Sequence, residues 1–221
     1  MDISTVNTIH LKRLNERNGI SGTLEETEYV YDKNMDMLIV DSAKPTVLLS
    51  LLNKYNPLRF FTDDVLIINT LEKSHIFRRS EPVWQYGAEI TDIKPPGPRI
   101  KFKSPSLNFA KEYVVSHYQE LDRKDILEKI NDGMICIAID ENRHTIGFVS
   151  MDNSEKIGKI YCEDTDMLKY IVTAFSMMQF EHKNFLYANI PVNNDILCRA
   201  FETAGFVKGD RYFRLFYNEP M

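Results

Sequence analysis

Five consecutive residues, Cys162-Glu163-Asp164-Thr165-Asp166, place a thiol, three carboxylates and a hydroxyl between an apolar run and the start of a helix. Acids at a helix N-terminus favour the dipole and accept from the first free backbone N–H groups. They also occupy the groups a bound anion would need, and they repel its charge. Helix capping is therefore the chemistry this cluster suits first. Cys162 stands alone, and a lone buried cysteine behaves as a small hydrophobe. Tyr161, Tyr187 and Tyr212 carry phenolic protons, although such residues more often serve as packing aromatics.

The other reactive residues do not combine. His10, His75, His117, His144 and His182 show no HxxxH or HExxH spacing, so metal chemistry has no ligand set. Cys136, Cys162 and Cys198 form no CxxC pair, which argues against a zinc site or disulfide framework and for a reducing cytoplasm. Neither GxGxxG nor GxxxxGK[ST] occurs, and nucleotide enzymes of those kinds are set aside. A net charge of −5 supplies no basic footprint for nucleic acid. No apolar run approaches the roughly 20 residues of a membrane span. The start, Met1-Asp2-Ile3-Ser4, lacks the features of a signal peptide.

The elements that must position these residues divide at "DIKPPGPRI", residues 92–100. Pro95, Pro96, Gly97 and Pro98 cannot continue a helix or a central strand. We therefore expect an N-terminal α/β domain over 1–95 and a second domain over 96–221. In the first, "DMLIVD" reads as a strand, "KPTVLLSLLNKYN" as a helix, and "LRFFTDDVLIINTLE" as two short strands about Asp63-Asp64. "PVWQYGAEI" adds another strand. A β-helix-β order recurs after residue 156, a faint internal echo.

The second domain is more regular. It reads strand "RIKFKS", helices "SLNFAKEYVVSHYQ" and "RKDILEKINDG", and strands "MICIAID" and "HTIGFVSMD" joined by a polar hairpin. Strand "KIGKIYCE" follows, then a helix of about 18 to 20 residues that is apolar nearly all round and so expected between layers. Strand "FLYANIPV", a helix and strand "RYFRLFY" complete it. In the last helix, Asn194 or Asn193 can cap the N-terminus, and Leu197, Ala200, Phe201 and Ala204 make one apolar stripe. Gly205 stands where a left-handed stop belongs, with Phe206 folding back.

That last unit, Asn194 … Phe201-Glu202-Thr203-Ala204-Gly205-Phe206, resembles the C-terminal signature of the GCN5-related N-acetyltransferase (GNAT) superfamily. "DENRHTIGFVSMD" resembles the family's second and third strands, and the order of elements over 98–217 is the family order. The resemblance implies an α/β fold with a mixed sheet, an acyl-CoA N-acyltransferase fold, over that part of the chain. The smaller α/β domain before it carries no family motif and is a candidate degenerate half-copy of the same fold. The resemblance also implies acetyl transfer from acetyl-CoA to an amine of a small molecule or peptide, with the cofactor arm between "KIGKIYCE" and "FLYANIPV". Ile160, Tyr161, Cys162, Thr165, Asn189, Asn194 and Phe201 are then the cofactor-binding positions, and Glu163 the general-base position.

The sequence departs from the family pattern twice. The pyrophosphate turn, Gln/Arg-x-x-Gly-x-Gly/Ala, is replaced by the acidic stretch at 162–166. The family's frequent tyrosine, the proton donor to the thiolate, falls at Phe201, which has no proton to give. An inactive binding or dimerisation module of the same fold is the alternative these departures keep open. The N-terminal part is expected either to cover the acceptor side or to pair with a second copy in a homodimer.

Overall fold

A computed structural model describes residues 19–33, 37–40, 43–57, 59–62, 64–73, 77–94, 97–152 and 155–217. They fall into two units, Tyr86–Lys208 and a second made of residues before Tyr86 together with Gly209 onward.

In the N-terminal unit, β1 (Ile20–Leu24) and β2 (Thr27–Asp32) form a hairpin, with Ile20 opposite Tyr31. β3 (Met37–Val40) runs antiparallel to β2. Helix α1 (Pro45–Tyr55) then crosses to β4 (Arg59–Thr62), which pairs parallel with β3 from Met37↔Arg59 to Ile39↔Phe61. Pro45 sits in the first turn of α1, where its missing N–H costs nothing. Val47, Leu48, Leu51 and Leu52 form the buried stripe, and left-handed Asn56 ends the helix.

The stretch after β4 differs from the expected strand. It is helix α2 (Val65–Lys73). Asp64 Oδ1 accepts from the backbone N–H of Leu66 at 2.8 Å and starts the helix. Ile67, Ile68 and Leu71 pack into the same core as α1, and four successive apolar residues hid that helical spacing. β5 (Phe77–Glu89) follows, and its Tyr86–Glu89 end belongs to the C-terminal unit. The chain's last strand, β11 (Val207–Tyr217), returns to this first unit, where Phe213–Phe216 pair antiparallel with β4.

The C-terminal unit continues through β6 (Lys101–Lys103), α3 (Asn108–His117), α4 (Arg123–Asn131), β7 (Ile135–Ile139), β8 (Thr145–Met151) and β9 (Lys156–Cys162). Helix α5 (Leu168–Phe180) leads to β10 (Phe185–Pro191), and α6 (Asp195–Ala204) leads to the first residues of β11. These strands lie in the order β10-β9-β8-β7-β6. All the neighbours are antiparallel except β9 and β10. Both units thus read β-β-β-α-β, two antiparallel steps followed by a parallel crossover.

Ala110, Val114, Tyr118, Ile126 and Ile130 of the α3–α4 segment pack on Ile135, Ile137 and Phe148 of the sheet. Helix α5 is shorter than its apolar run suggests, 13 residues, because Thr165–Met167 form a 3₁₀ turn. It buries seven positions but leaves Met177 exposed, so it is not covered all round.

Two glycines answer to close approach. A Cβ on Gly147 would stand 2.2 Å from the carbonyl oxygen of Tyr161 on β9. Gly205 has φ 110°, and its Cβ would stand 1.9 Å from the Asp92 carbonyl. The N–H of Phe206 donates to Phe201 O at 3.0 Å, closing the helix end the sequence predicts.

Candidate functional site

The parallel pair β9 and β10 meets only at Tyr187↔Lys156 and Ala188↔Ile157. Each strand has seven residues, so Gly158–Cys162 of β9 and Asn189–Pro191 of β10 lie beyond the last pair. From there toward their C-terminal ends no ladder pair joins the two strands among the described residues, and in that sense the pair is splayed. Unpaired backbone N–H and C=O groups are costly to bury and ready to pair with an amide-bearing chain. Asn189, the residue after Ala188, has its Oδ1 buried without a hydrogen bond. An orphaned acceptor at the opening of a splayed pair suits a ligand that brings N–H donors.

Each strand feeds a helix at the open end, since α5 follows β9 and α6 follows β10. Between those two helices lies a cleft of about 280 Å³ lined by Thr165, Asp166, Lys169, Ile196, Arg199, Ala200 and Thr203. Clefts at the carboxyl ends of parallel strands are the usual ligand sites of α/β folds. Lys169 Nζ rests 4.9 Å from the ring centre of Tyr170. Arg199 is exposed and makes no ion pair or hydrogen bond among the described residues. Two cations from two helices thus face the cleft. Neither was singled out from the sequence, because no phosphate-binding motif surrounds them.

The three acids of the opening cluster divide between different tasks. Asp164 is a cap, its Oδ1 accepting from the N–H of Asp166 at 2.9 Å. Asp166 lines the cleft beside Lys169. Glu163 is exposed, two residues past Tyr161, and its carboxylate acts on the phenol of Tyr113. Thr165 is exposed and opens the 3₁₀ turn at the cleft.

Tyr161 projects to the α3 side. Its ring stacks on His117 with centroids 4.3 Å apart, meets Tyr113 edge-on at 6.3 Å and lies against Phe148 at 5.7 Å. The buried hydroxyl of Tyr113 makes no hydrogen bond. Burial pushes that phenol's pKa well up, and the Glu163 charge adds to the shift. Sequence reading missed Tyr113. Its i,i+4 spacing to His117 on α3 was the available signal, since that spacing sets two side chains on one helix face.

The remaining predicted positions lie elsewhere. Ile160 and Cys162 are buried in β9, and burial pushes the Cys162 thiol up rather than activating it. Asn194 caps α6, its Oδ1 accepting from Leu197 N–H at 3.1 Å. Phe201 is 1% exposed, with Phe206 at 4.8 Å and Tyr86 at 5.9 Å between ring centres. Tyr187 is buried and stacks on Phe185 at 6.1 Å. Tyr86, also unanticipated, donates its hydroxyl to Glu202 Oε1 at 2.8 Å. Burial, with Cys198 and Glu202 nearby, pushes its pKa far up. The Tyr212 side chain lies outside the described residues.

In the C-terminal unit, a mixed sheet whose parallel pair β9–β10 is splayed, with a helix leaving each splayed strand, defines an N-acyltransferase type of fold. Solved structures bear this out at the level of the fold. A GCN5-related N-acetyltransferase from Kribbella flavida superposes with a TM-score of 0.56 at 7% identity, over 99% of this chain and 96% of that one. A GNAT-family acetyltransferase from Colwellia psychrerythraea gives 0.52 at 10% identity, over 90% and 85%. A Drosophila protein gives 0.62 at 11% identity, over 86% and 74%. The chain has the GNAT fold. No protein-family model matches the sequence, and no curated protein matches it either.

Among the described residues no helix is long and apolar enough to cross a membrane.

Proposed function

We propose that the C-terminal half is an acyl-CoA-dependent N-acetyltransferase, moving an acetyl group from acetyl-CoA to the amine of a small molecule or peptide. The observation that carries this reading is the end of β9–β10 pairing at Ile157↔Ala188. The N-terminal unit has the same β-β-β-α-β order, yet its parallel pair, β3–β4, stays joined through Met37–Ile39 and Arg59–Phe61. We take that unit as a degenerate half-copy whose equivalent gap is closed. The arm of acetyl-CoA would lie between β9 and β10, its amides pairing with the free strand edges and with Asn189. Its anionic end would meet Lys169 and Arg199, side-chain cations standing in for the missing glycine-rich turn. Acetyl-CoA supplies a thioester carbon for the amine to attack.

Calorimetric titration with acetyl-CoA tests this reading. We expect a Kd tighter than about 1 mM, near −4 kcal/mol. An absence of heat and of any thermal shift at millimolar acetyl-CoA would sink it. The second reading, a module that keeps the fold without turnover, draws on Phe201, which is buried in the aromatic core and offers no proton to a leaving thiolate. Such a module predicts no acetylated product from any amine. Three cysteines without disulfide partners suit a reducing cytoplasm.

A further inference from the structure

On the reading just given, the acceptor must reach the thioester from one face of the splayed pair, and the α3 face carries the groups an ammonium needs. His117 ends α3 and lies parallel to Tyr161, with ring centres 4.3 Å apart and planes 28° apart. Tyr161 belongs to the splayed part of β9, so His117 sits one ring away from that strand. Its Nδ1 is 2.8 Å from the carbonyl oxygen of Tyr113. A carbonyl only accepts, so this contact is a hydrogen bond in the tautomer with the proton on Nδ1, which also lies 3.0 Å from Ser116 Oγ, and that tautomer has its lone pair on Nε2. Among the described residues Nε2 makes no hydrogen bond.

Two further groups converge here. The Tyr113 hydroxyl is buried and makes no hydrogen bond among the described residues. The Glu163 carboxylate adjoins it from the end of β9 and is exposed. Three half-buried rings, Tyr113, His117 and Tyr161, form the walls. An orphan hydroxyl, a free imidazole nitrogen and one carboxylate among aromatic faces match a primary amine with one positive charge and an apolar or aromatic body.

We propose that Tyr113, Tyr161 and Glu163 receive such an amine, and that His117 Nε2 is the base that takes its proton. The step balances. The ammonium gives one proton to Nε2, and the neutral amine attacks the acetyl carbon. The C–N bond forms, the C–S bond breaks, and the thiolate takes the second proton from the nitrogen. Imidazolium then returns its proton to water. The titratable groups facing the His117 ring are Tyr113 on its own helix and Tyr161 on β9, with Glu163 beyond.

The test uses the full chain and 2-phenylethylamine as the probe amine. Binding of acetyl-CoA is measured first, separately, so that failure of the cofactor reading is seen on its own. With acetyl-CoA bound, His117→Gln is expected to lower kcat/KM about 10²- to 10⁴-fold, leaving acetyl-CoA affinity unchanged. Glu163→Gln is expected to raise KM for the amine about tenfold with little change in kcat. Nitrogen-15 NMR of the imidazole, assigned through the His117→Gln spectrum, is expected to show the Nδ1–H form and to shift on adding the amine, with or without cofactor. The proposal is overturned if His117→Gln stays within threefold of the parent. It is overturned equally if the amine leaves the His117 resonances unmoved, a result that stands even where acetyl-CoA does not bind.

Discussion

Ala188 of β10 pairs with Ile157 of β9, and no inter-strand pair joins the two strands beyond that point. The same step in the N-terminal unit holds together, with Leu38 opposite Phe60 and Ile39 opposite Phe61. One fold element is therefore present twice, once closed and once open. Only the open copy presents unpaired strand edges beside an orphaned amide oxygen, that of Asn189. The predictions below follow from that contrast and from the side chains around the open copy.

Asn189→Ala removes a buried acceptor that no group among the described residues satisfies. We expect the unliganded protein to unfold at the same temperature or slightly higher, because no internal hydrogen bond is lost. Acetyl-CoA affinity should fall about five- to tenfold, the worth of one hydrogen bond to an amide. Thermal unfolding with and without acetyl-CoA separates the two effects. A drop in the unliganded melting temperature would show that Asn189 serves structure instead.

Arg199→Ala and Lys169→Ala both remove a cation from the cleft between α5 and α6. Each is expected to weaken acetyl-CoA about five- to thirtyfold, roughly 1–2 kcal/mol for a charge-assisted contact. Stability should change little, since Arg199 is exposed and unpaired among the described residues. The loss should shrink at high salt, where exposed charges are screened. Titrations at low and high ionic strength check both points.

Phe201→Tyr restores the side chain that the family resemblance expects. In this structure the position is 1% exposed and enclosed by Tyr86 and Phe206. A hydroxyl added there without a partner costs about 1–3 kcal/mol. We expect a lower melting temperature and no gain in acetyl transfer. A rise in kcat at unchanged stability would mean the residue faces the reacting thioester.

Asp152 accepts from Lys156 at 2.9 Å and Lys129 at 3.2 Å. Burial alone would raise its pKa, but the two ammonium groups, Lys156 the stronger, overcome that and hold it at about 2. A carboxyl depressed from 3.8 stabilises the fold above the unfolded value and loses that contribution as pH falls through about 2. Asp152→Asn should therefore cost about 2 kcal/mol at neutral pH, and the gap between variant and parent should close between pH 4 and pH 2. Chemical denaturation across that range measures it.

Local pattern settled much of this architecture in advance. The order of elements after residue 98 was legible because periodicity, caps and turns are properties of neighbouring residues. Asn194 bonds the Leu197 N–H, and Gly205 adopts positive φ, as their types and spacing predict. Where local pattern is ambiguous the reading failed. The apolar run Val65–Ile68 fits strand or helix equally, and the Asp64 cap decided for helix.

The site itself belongs to tertiary structure. Splaying is a matter of register between two strands that last pair at Ile157 and Ala188, far apart in the chain, and no residue type encodes which backbone groups go unpaired. The acids at 163, 164 and 166 looked alike in the sequence, yet one meets Tyr113, one caps a turn and one lines the cleft. His117 was an isolated histidine until the fold laid its ring on Tyr161, 44 residues later in the chain. Sequence determines which local elements form, because their hydrogen bonds close within a few residues. Only the packed chain decides which side chains share a site, because those contacts join residues that sequence keeps apart.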